Sequence, residues 1–213
     1  MLALAAPGAV GAAAAPVSIG TAPRTPHTLR LGSHGGAVRA LQRDLARLTY
    51  LPWDAVDGAF EMRTWHAVVA FQGWSGLARD GVAGPATRAA LARANPPRPW
   101  SKAEGLEVHI PQQVLLLVRH RRVERAIHVS TGMPGWPTPQ GHFSIVERSV
   151  LSWSRAFAVW MPLAQYFYDG FAIHEYPEVP AYPASHGCVR VPEAEARTVW
   201  RFGRLGMRFW TSP

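Results

Sequence analysis

The chain carries one cysteine, Cys188, and around it stand the residue types that a reactive thiol requires. At an ordinary pKa near 8.5 only about 3% of a thiol is thiolate at pH 7, so a base or a positive charge must lie close before it attacks efficiently. His186 lies two residues before Cys188 and His174 fourteen before it, which supplies two candidate bases. Gly187 lets the backbone turn tightly and a substrate carbonyl approach, with the Gly187 and Cys188 N–H groups expected to face a developing oxyanion. Arg190 adds a guanidinium suited to a two-pronged grip on a carboxylate. A nucleophile, two bases, a turn glycine and an anion anchor within seventeen residues point to acyl transfer through a thioester.

Blander readings compete with this one. A lone cysteine is most often a small buried hydrophobe, and a single histidine is more often structural than catalytic. His174, His186 and Cys188 also form a chemically acceptable zinc-ligand set, but the His186-x-Cys188 spacing is very tight for ligands fixed on regular elements. The expectation is a site without metal or cofactor. A single cysteine also excludes an intrachain disulfide and a CxxC motif.

Composition narrows the setting. With 213 residues, 48% apolar and 17% charged, the chain has room for two small domains with packed cores. Its 22 basic against 14 acidic residues give a net charge of +8, which favours polyanions such as the anionic polymers of a cell wall. The basic residues are spread out with no run of five, so no nucleic-acid arm is expected. Most of the nine Trp are expected in the core or at its boundary. Met1–Ala15 is almost wholly Ala, Leu, Val and Gly and ends in an A-x-A-like run, but no Lys or Arg precedes Arg24. It reads as a truncated export signal within an Ala-rich segment 1–26, which places the protein outside the cytoplasm, secreted or in the cell envelope. No apolar run is long enough for a transmembrane helix, and a monomer is expected.

Two rhythms position the candidate site. From 27 to 94 the pattern is helical. Val38, Leu41, Leu45 and Leu48 form an amphipathic stripe, a second helix is predicted over Met62–Trp74, and a third begins at Pro85 after Gly84. Asp57-Gly58 and Asp80-Gly81 precede helix starts, so Val56–Phe71 and Arg79–Leu91 resemble each other as turn-plus-helix units. The Pro-rich stretch 95–105 reads as a semi-rigid linker. From 106 to 213 strands dominate: a hairpin around Pro111–Gln113, β-type runs at Ala126–Ser130, His142–Glu147, Phe157–Met161 and Gly170–His174, a helix over Glu193–Phe202 and a last strand at Met207–Thr211. The fold class is thus two-domain, an all-α three-helix module followed by a mostly-β domain with one late helix.

The run Ile173-His174…Ser185-His186-Gly187-Cys188-Val189-Arg190 resembles the signature of the L,D-transpeptidase catalytic domain. Ser130-Thr131-Gly132 and Thr138-Pro139-Gln140-Gly141-His142-Phe143 resemble two further blocks of that family, in the same order. Leu31-Gly32…Val38-Arg39-Ala40-Leu41-Gln42 and Asp80-Gly81-Val82-Ala83-Gly84-Pro85 resemble a peptidoglycan-binding domain, although Glu61-Met62 and Trp65-His66 depart from its pattern. The resemblance implies a Cys188 thiolate attacking a peptidoglycan stem tetrapeptide, releasing terminal D-alanine and forming a 3→3 cross-link. It makes His174 the base, oriented by the backbone carbonyl of Glu175, with His186 shaping the site and Ser185 and Arg190 serving the substrate. The family commonly has glycine after the base, so Glu175 puts a carboxylate beside His174, either supporting an imidazolium or narrowing the substrate channel. Implied partners are stem peptides and glycan. Other functions in view are an L,D-carboxypeptidase, a non-catalytic wall-binding protein and a zinc amidase with the same binding module.

Overall fold

The computed structural model describes residues 28–212, so the Ala-rich segment read as an export signal lies outside the described residues. Three helices come first: α1 (Gly36–Arg47), α2 (Met62–Trp74) and α3 (Pro85–Leu91). On α1 the predicted stripe is the buried face, with Val38, Leu41 and Leu45 turned inward and Leu48 continuing it past the helix end. The second half of α2 is buried nearly all round, from Ala67 to Gln72, because it is packed from more than one side.

The suspected internal repeat is written in hydrogen bonds. Gln42 Oε1 accepts the Gly58 N–H at 2.7 Å, while its Nε2 donates to Asp57 Oδ1 at 2.8 Å, Ala59 O at 3.0 Å and Thr64 Oγ1 at 3.0 Å. Gln72 repeats the pattern: Oε1 takes the Gly81 N–H at 2.9 Å, and Nε2 reaches Asp80 Oδ1 at 2.7 Å, Val82 O at 3.1 Å and Thr87 Oγ1 at 3.1 Å. Each glutamine satisfies the N–H of the buried glycine in an Asp-Gly turn, which hydrophobic packing alone would leave unpaired. Gly58 and Gly81 hold φ of 87° and 70°, which is why each turn carries a glycine.

Nine strands follow: β1 (Gly105–His109), β2 (Val114–Arg119), β3 (Arg122–His128), β4 (Gly141–Ser144), β5 (Glu147–Ser154), β6 (Val159–Tyr168), β7 (Phe171–Glu175), β8 (Val189–Val191) and β9 (Arg208–Ser212). Helix α4 (Glu193–Phe202) separates the last two, where the sequence placed it. The strands build a five-stranded sheet ordered β3-β2-β1-β9-β4 and a four-stranded sheet ordered β5-β6-β7-β8. Between the sheets and α4 lies a core of Leu106, Leu115, Leu117, Ile173, Val189, Val199 and Phe209, among others. Strands β5 and β8 were not foreseen. The first stands out towards solvent with polar and apolar residues both exposed, and the second is three residues long, so neither shows a clear period.

Strand β2 is buried on both faces. Leu115 and Leu117 enter the inter-sheet core, whereas Val114, Leu116 and Val118 join the core beneath α1 and α2, with Leu45, Leu48, Phe71 and Ala126. The helical module therefore shares its hydrophobic core with the five-stranded sheet. The Pro-rich stretch between them is held down as well, because the buried Glu107 carboxylate accepts the Trp100 and Ser101 N–H groups, both at 2.9 Å. The tryptophans correct the sequence expectation: none is fully buried, and Trp53, Trp100, Trp136, Trp153 and Trp160 are exposed. The core is filled by aliphatic residues and phenylalanines such as Phe60, Phe71 and Phe209, with Trp65 and Trp74 packed at its edge.

A shared core makes the helices and the sheet one cooperative unit, so urea unfolding should show coincident transitions by intrinsic fluorescence and by Cys188 labelling. Replacing Gln72 by Ala leaves the Gly81 N–H and neighbouring groups unpaired and should cost about 2–3 kcal/mol in the same measurement, as should Gln42→Ala. Two separated transitions would contradict the single unit.

Candidate active site

Strands β7 and β8 run parallel, pairing Ile173 with Val189 and His174 with Arg190. This pairing carries His174, at the end of one strand, beside Cys188, just before the other. Both line a cavity of about 470 Å³ together with Ser185, His186, Arg190, Tyr166, Phe171, Tyr176, Trp136 and the β5–β6 hairpin tip around Phe157.

The turn Ser185–Cys188 is pinned from inside. The buried Ser185 hydroxyl donates to Cys188 O at 2.6 Å and accepts the Gly187 N–H at 3.1 Å. This use of Ser185 corrects one expectation: the Gly187 N–H is already bonded and does not face the cavity as an oxyanion donor. Among the described residues no protein acceptor meets the Cys188 N–H. Gly187 holds φ of 107°, and a Cβ there would collide with the Phe171 ring, so its glycine is required by the turn and by a side chain packed on it.

The other two motif blocks form the floor. Thr131 O accepts the N–H groups of Ala184 and Ser185, both at 3.0 Å, and Ser185 O accepts the Met133 N–H at 2.9 Å. Ser130 exchanges backbone bonds with Arg190 at 2.9 and 3.1 Å, and its hydroxyl donates to Tyr182 O at 2.8 Å. Thr138 Oγ1 accepts the Gly132 N–H at 2.9 Å, closing the loop between the blocks. Gln113, at the tip of the β1–β2 hairpin, clamps Thr131 by accepting its N–H at 2.8 Å and donating to its hydroxyl at 2.6 Å.

His174 is 4% exposed, and its Nδ1 lies 2.7 Å from Glu175 O. A carbonyl only accepts, so Nδ1 carries the proton and Nε2 is left bare. Burial pulls the His174 pKa down to about 4, against the carbonyl bond that raises it, and the positive charge of Arg190 lowers it further. Burial pushes the Cys188 thiol up, opposed by an Ala172 backbone hydrogen bond and by Arg190. The resting pair is therefore a neutral thiol and a neutral imidazole. The Glu175 side chain is not part of the cavity. Burial and Glu193 raise its carboxyl pKa while Arg197 opposes them, so the charges it feels are those of α4, and its backbone carbonyl is what meets His174.

His186 stands at the rim, its ring stacked on Phe157 at 4.3 Å and edge-on to Trp136 at 5.2 Å. Arg190 lies over the Tyr176 ring at 4.0 Å, and the same Tyr176 meets His174 edge-on at 5.8 Å. Tyr176, Phe157 and Trp136 were not singled out from sequence. Tyr176 follows the base by two residues, a position that local spacing could have flagged, whereas Phe157 and Trp136 arrive through the tertiary fold. Among the described residues no three His, Cys, Asp or Glu side chains cluster as metal ligands, and no helix is long and apolar enough to cross a membrane.

The family model of the L,D-transpeptidase catalytic domain matches residues 103–209, and that of a peptidoglycan binding domain matches 34–91. A crystal structure of an L,D-transpeptidase from Xylanimonas cellulosilytica is 36% identical with a TM-score of 0.83, covering 90% of this chain and 100% of that one. An L,D-transpeptidase structure from Stackebrandtia nassauensis shares the fold at 24% identity and a TM-score of 0.56, covering 91% and 98%. An N-acetylmuramoyl-L-alanine amidase, CwlL of Bacillus licheniformis, is 37% identical over 84 residues, which are 39% of this chain and 23% of the amidase. The chain thus spans about a quarter of that relative's length.

A neutral pair makes a specific pH profile. Iodoacetamide alkylation of Cys188 should climb with pH, about tenfold per unit, from pH 6 up through the ordinary thiol range. A rate plateau between pH 5 and 8 would reveal a thiolate–imidazolium pair and refute the neutral assignment.

Proposed function

The chain belongs to the L,D-transpeptidase family, and on that footing we propose that it cross-links peptidoglycan stem peptides through a thioester on Cys188. The observation that carries the reading is the tautomer of His174. With Nδ1–H committed to Glu175 O, the bare Nε2 is the atom available to take a proton inside the cavity that Cys188 shares.

In the proposed reaction Nε2 removes the Cys188 proton as sulfur attacks the L-centre carbonyl of the diamino acid at the third position of a tetrapeptide. The carbonyl π pair becomes an oxyanion, for which the Cys188 N–H is the donor at hand. That pair returns as the bond to the terminal D-alanine nitrogen breaks, and the imidazolium gives its proton to the departing amine. An amine of a second stem then attacks the thioester, Nε2 takes its proton, and the departing sulfur recovers it as thiol. One amide is exchanged for another, a 3→3 cross-link, with no oxidant or cofactor consumed. Because the resting pair is neutral, proton transfer and sulfur attack proceed together. Arg190, which disfavours imidazolium and favours sulfur anion, biases that step and can hold a stem carboxylate. Ser185 acts through the turn it pins, and His186 stacked on Phe157, with Trp136 edge-on to both, forms an aromatic rim against which an extended peptide can lie.

The proposed division of labour follows the chain, with 27–94 holding wall material and 106–213 carrying the chemistry. A peptidoglycan binding domain in the same chain supports the wall as partner and site of action, and the net charge of +8 suits anionic wall polymers.

Mass spectrometry of a disaccharide-tetrapeptide incubated with the protein should show a cross-linked dimer lacking one alanine, and none with Cys188→Ala. Tripeptide with free alanine would instead make water the acceptor, an L,D-carboxypeptidase. Product from the Cys188→Ala protein would sink the thioester.

A further inference from the structure

Trp65-His66 departs from the pattern of the binding domain, and the fold gives His66 a partner in the catalytic domain. His66 on α2 and His128 at the end of β3 bring their Nδ1 atoms to 2.8 Å with rings stacked at 5.1 Å. The Nε2 of His128 lies 3.1 Å from Pro180 O, in the segment 176–188 that joins β7 to β8 and ends in the catalytic turn. The proton positions follow. Pro180 O can only accept, so His128 carries its proton on Nε2 and offers a bare Nδ1, to which His66 donates its Nδ1–H.

We propose that His66 and His128 are positioning residues, a proton-dependent latch through which the helical module holds the catalytic segment 176–188 in register. A second line from the same module converges on that segment. A Cβ on Gly73 of α2 would collide with Gln112 O, Arg79 donates to Pro111 O at 3.0 Å, and the neighbouring Gln113 clamps Thr131, whose carbonyl holds Ala184 and Ser185. Pro177, Pro180 and Pro183 have no N–H to donate. In the middle of the segment Pro180 and Tyr182 are held by their carbonyls, and His128 and Ser130 supply the donors.

The surroundings keep the pair neutral. Tyr50, Arg63 and Glu195 share its small cavity, Arg79 adds positive charge, and the Trp65 indole lies edge-on to both rings. Glu195 stands 3.6 Å from Arg125, its Oε2 makes no hydrogen bond among the described residues, and burial raises its carboxyl pKa. Burial lowers the His66 pKa to about 4, and burial followed by His66 lowers that of His128 well below its usual value. One proton added to His66 keeps the bond, whereas a second on His128 sets two N–H groups against each other. The folded state holds fewer protons than the unfolded chain between pH 4 and 6.5, so the latch is intact above that window and weakens as pH falls through it.

Amide hydrogen exchange tests this without substrate, so its outcome is separable from that of the cross-linking reading on which the word catalytic rests. In the unmodified protein, protection across 176–188 should fall about tenfold from pH 7 to pH 4.5 after correction for intrinsic rates, ahead of the inter-sheet core. His66→Leu should exchange faster in that segment at pH 7, with a flattened pH response and an altered Cys188 alkylation rate. His66→Asn keeps an N–H donor and should restore protection at pH 7. Unchanged protection in His66→Leu at pH 7, or acid opening that persists undiminished in it, would overturn the latch and leave His174 as the acid-sensitive group. If His66→Leu fails to fold, absence of selective opening in the unmodified protein would overturn it equally.

Discussion

Two parallel strands that share three residue pairs hold the two side chains on which the proposed chemistry depends. Parallel neighbours cannot be joined by a tight turn, so β7 must leave, travel through 176–188 and return as β8. His174, the proposed base, sits at the exit of that excursion and Cys188, the proposed nucleophile, at its re-entry. Whatever holds the excursion in place therefore sets the relation of His174 to Cys188. The three motif blocks, Ser130–Gly132, Thr138–Phe143 and Ser185–Arg190, are close in space for this reason, since the first two build the surface on which the third is folded.

Electrostatics follow from the same arrangement. Packing the excursion closely buries both reacting groups, and burial acts in opposite directions on an acid and a base, raising the thiol and lowering the imidazole. The ground state stays neutral and chemically quiet, while the Glu175 carbonyl keeps the imidazole in the tautomer that can accept a proton. Arg190 is the counterweight. It favours charge on sulfur and offers charge to a substrate, and Tyr176 holds it in place while also touching the base.

The helical module is part of this support rather than an appendage. Its core is continuous with one face of β2, and its second helix contacts the hairpin and strand whose ends brace the catalytic turn. A strand buried on both faces is stable only while both covers are present. The peptidoglycan binding domain therefore packs into the same core as the five-stranded sheet.

Much of this was legible along the chain because it is local. Helix periodicity, the Pro85 start, the two Asp-Gly turns and the Ser185–Arg190 motif each depend on neighbours a few residues apart, where spacing translates directly into shared faces or shared turns. The uninterrupted Val114–Val118 run also carries the mark of a strand covered on both sides, although only the packed helices show what the second cover is. What the tertiary structure alone decided lies across long separations. The Gly187 N–H turns inward to Ser185, the Glu175 carboxylate feels the charges of α4 while its carbonyl meets His174, Phe157 and Trp136 reach His186 from distant loops, and His66 meets His128. Side-chain direction at the end of a strand, and the partner a buried donor finds, depend on how whole elements dock, and no period or motif in the sequence encodes that.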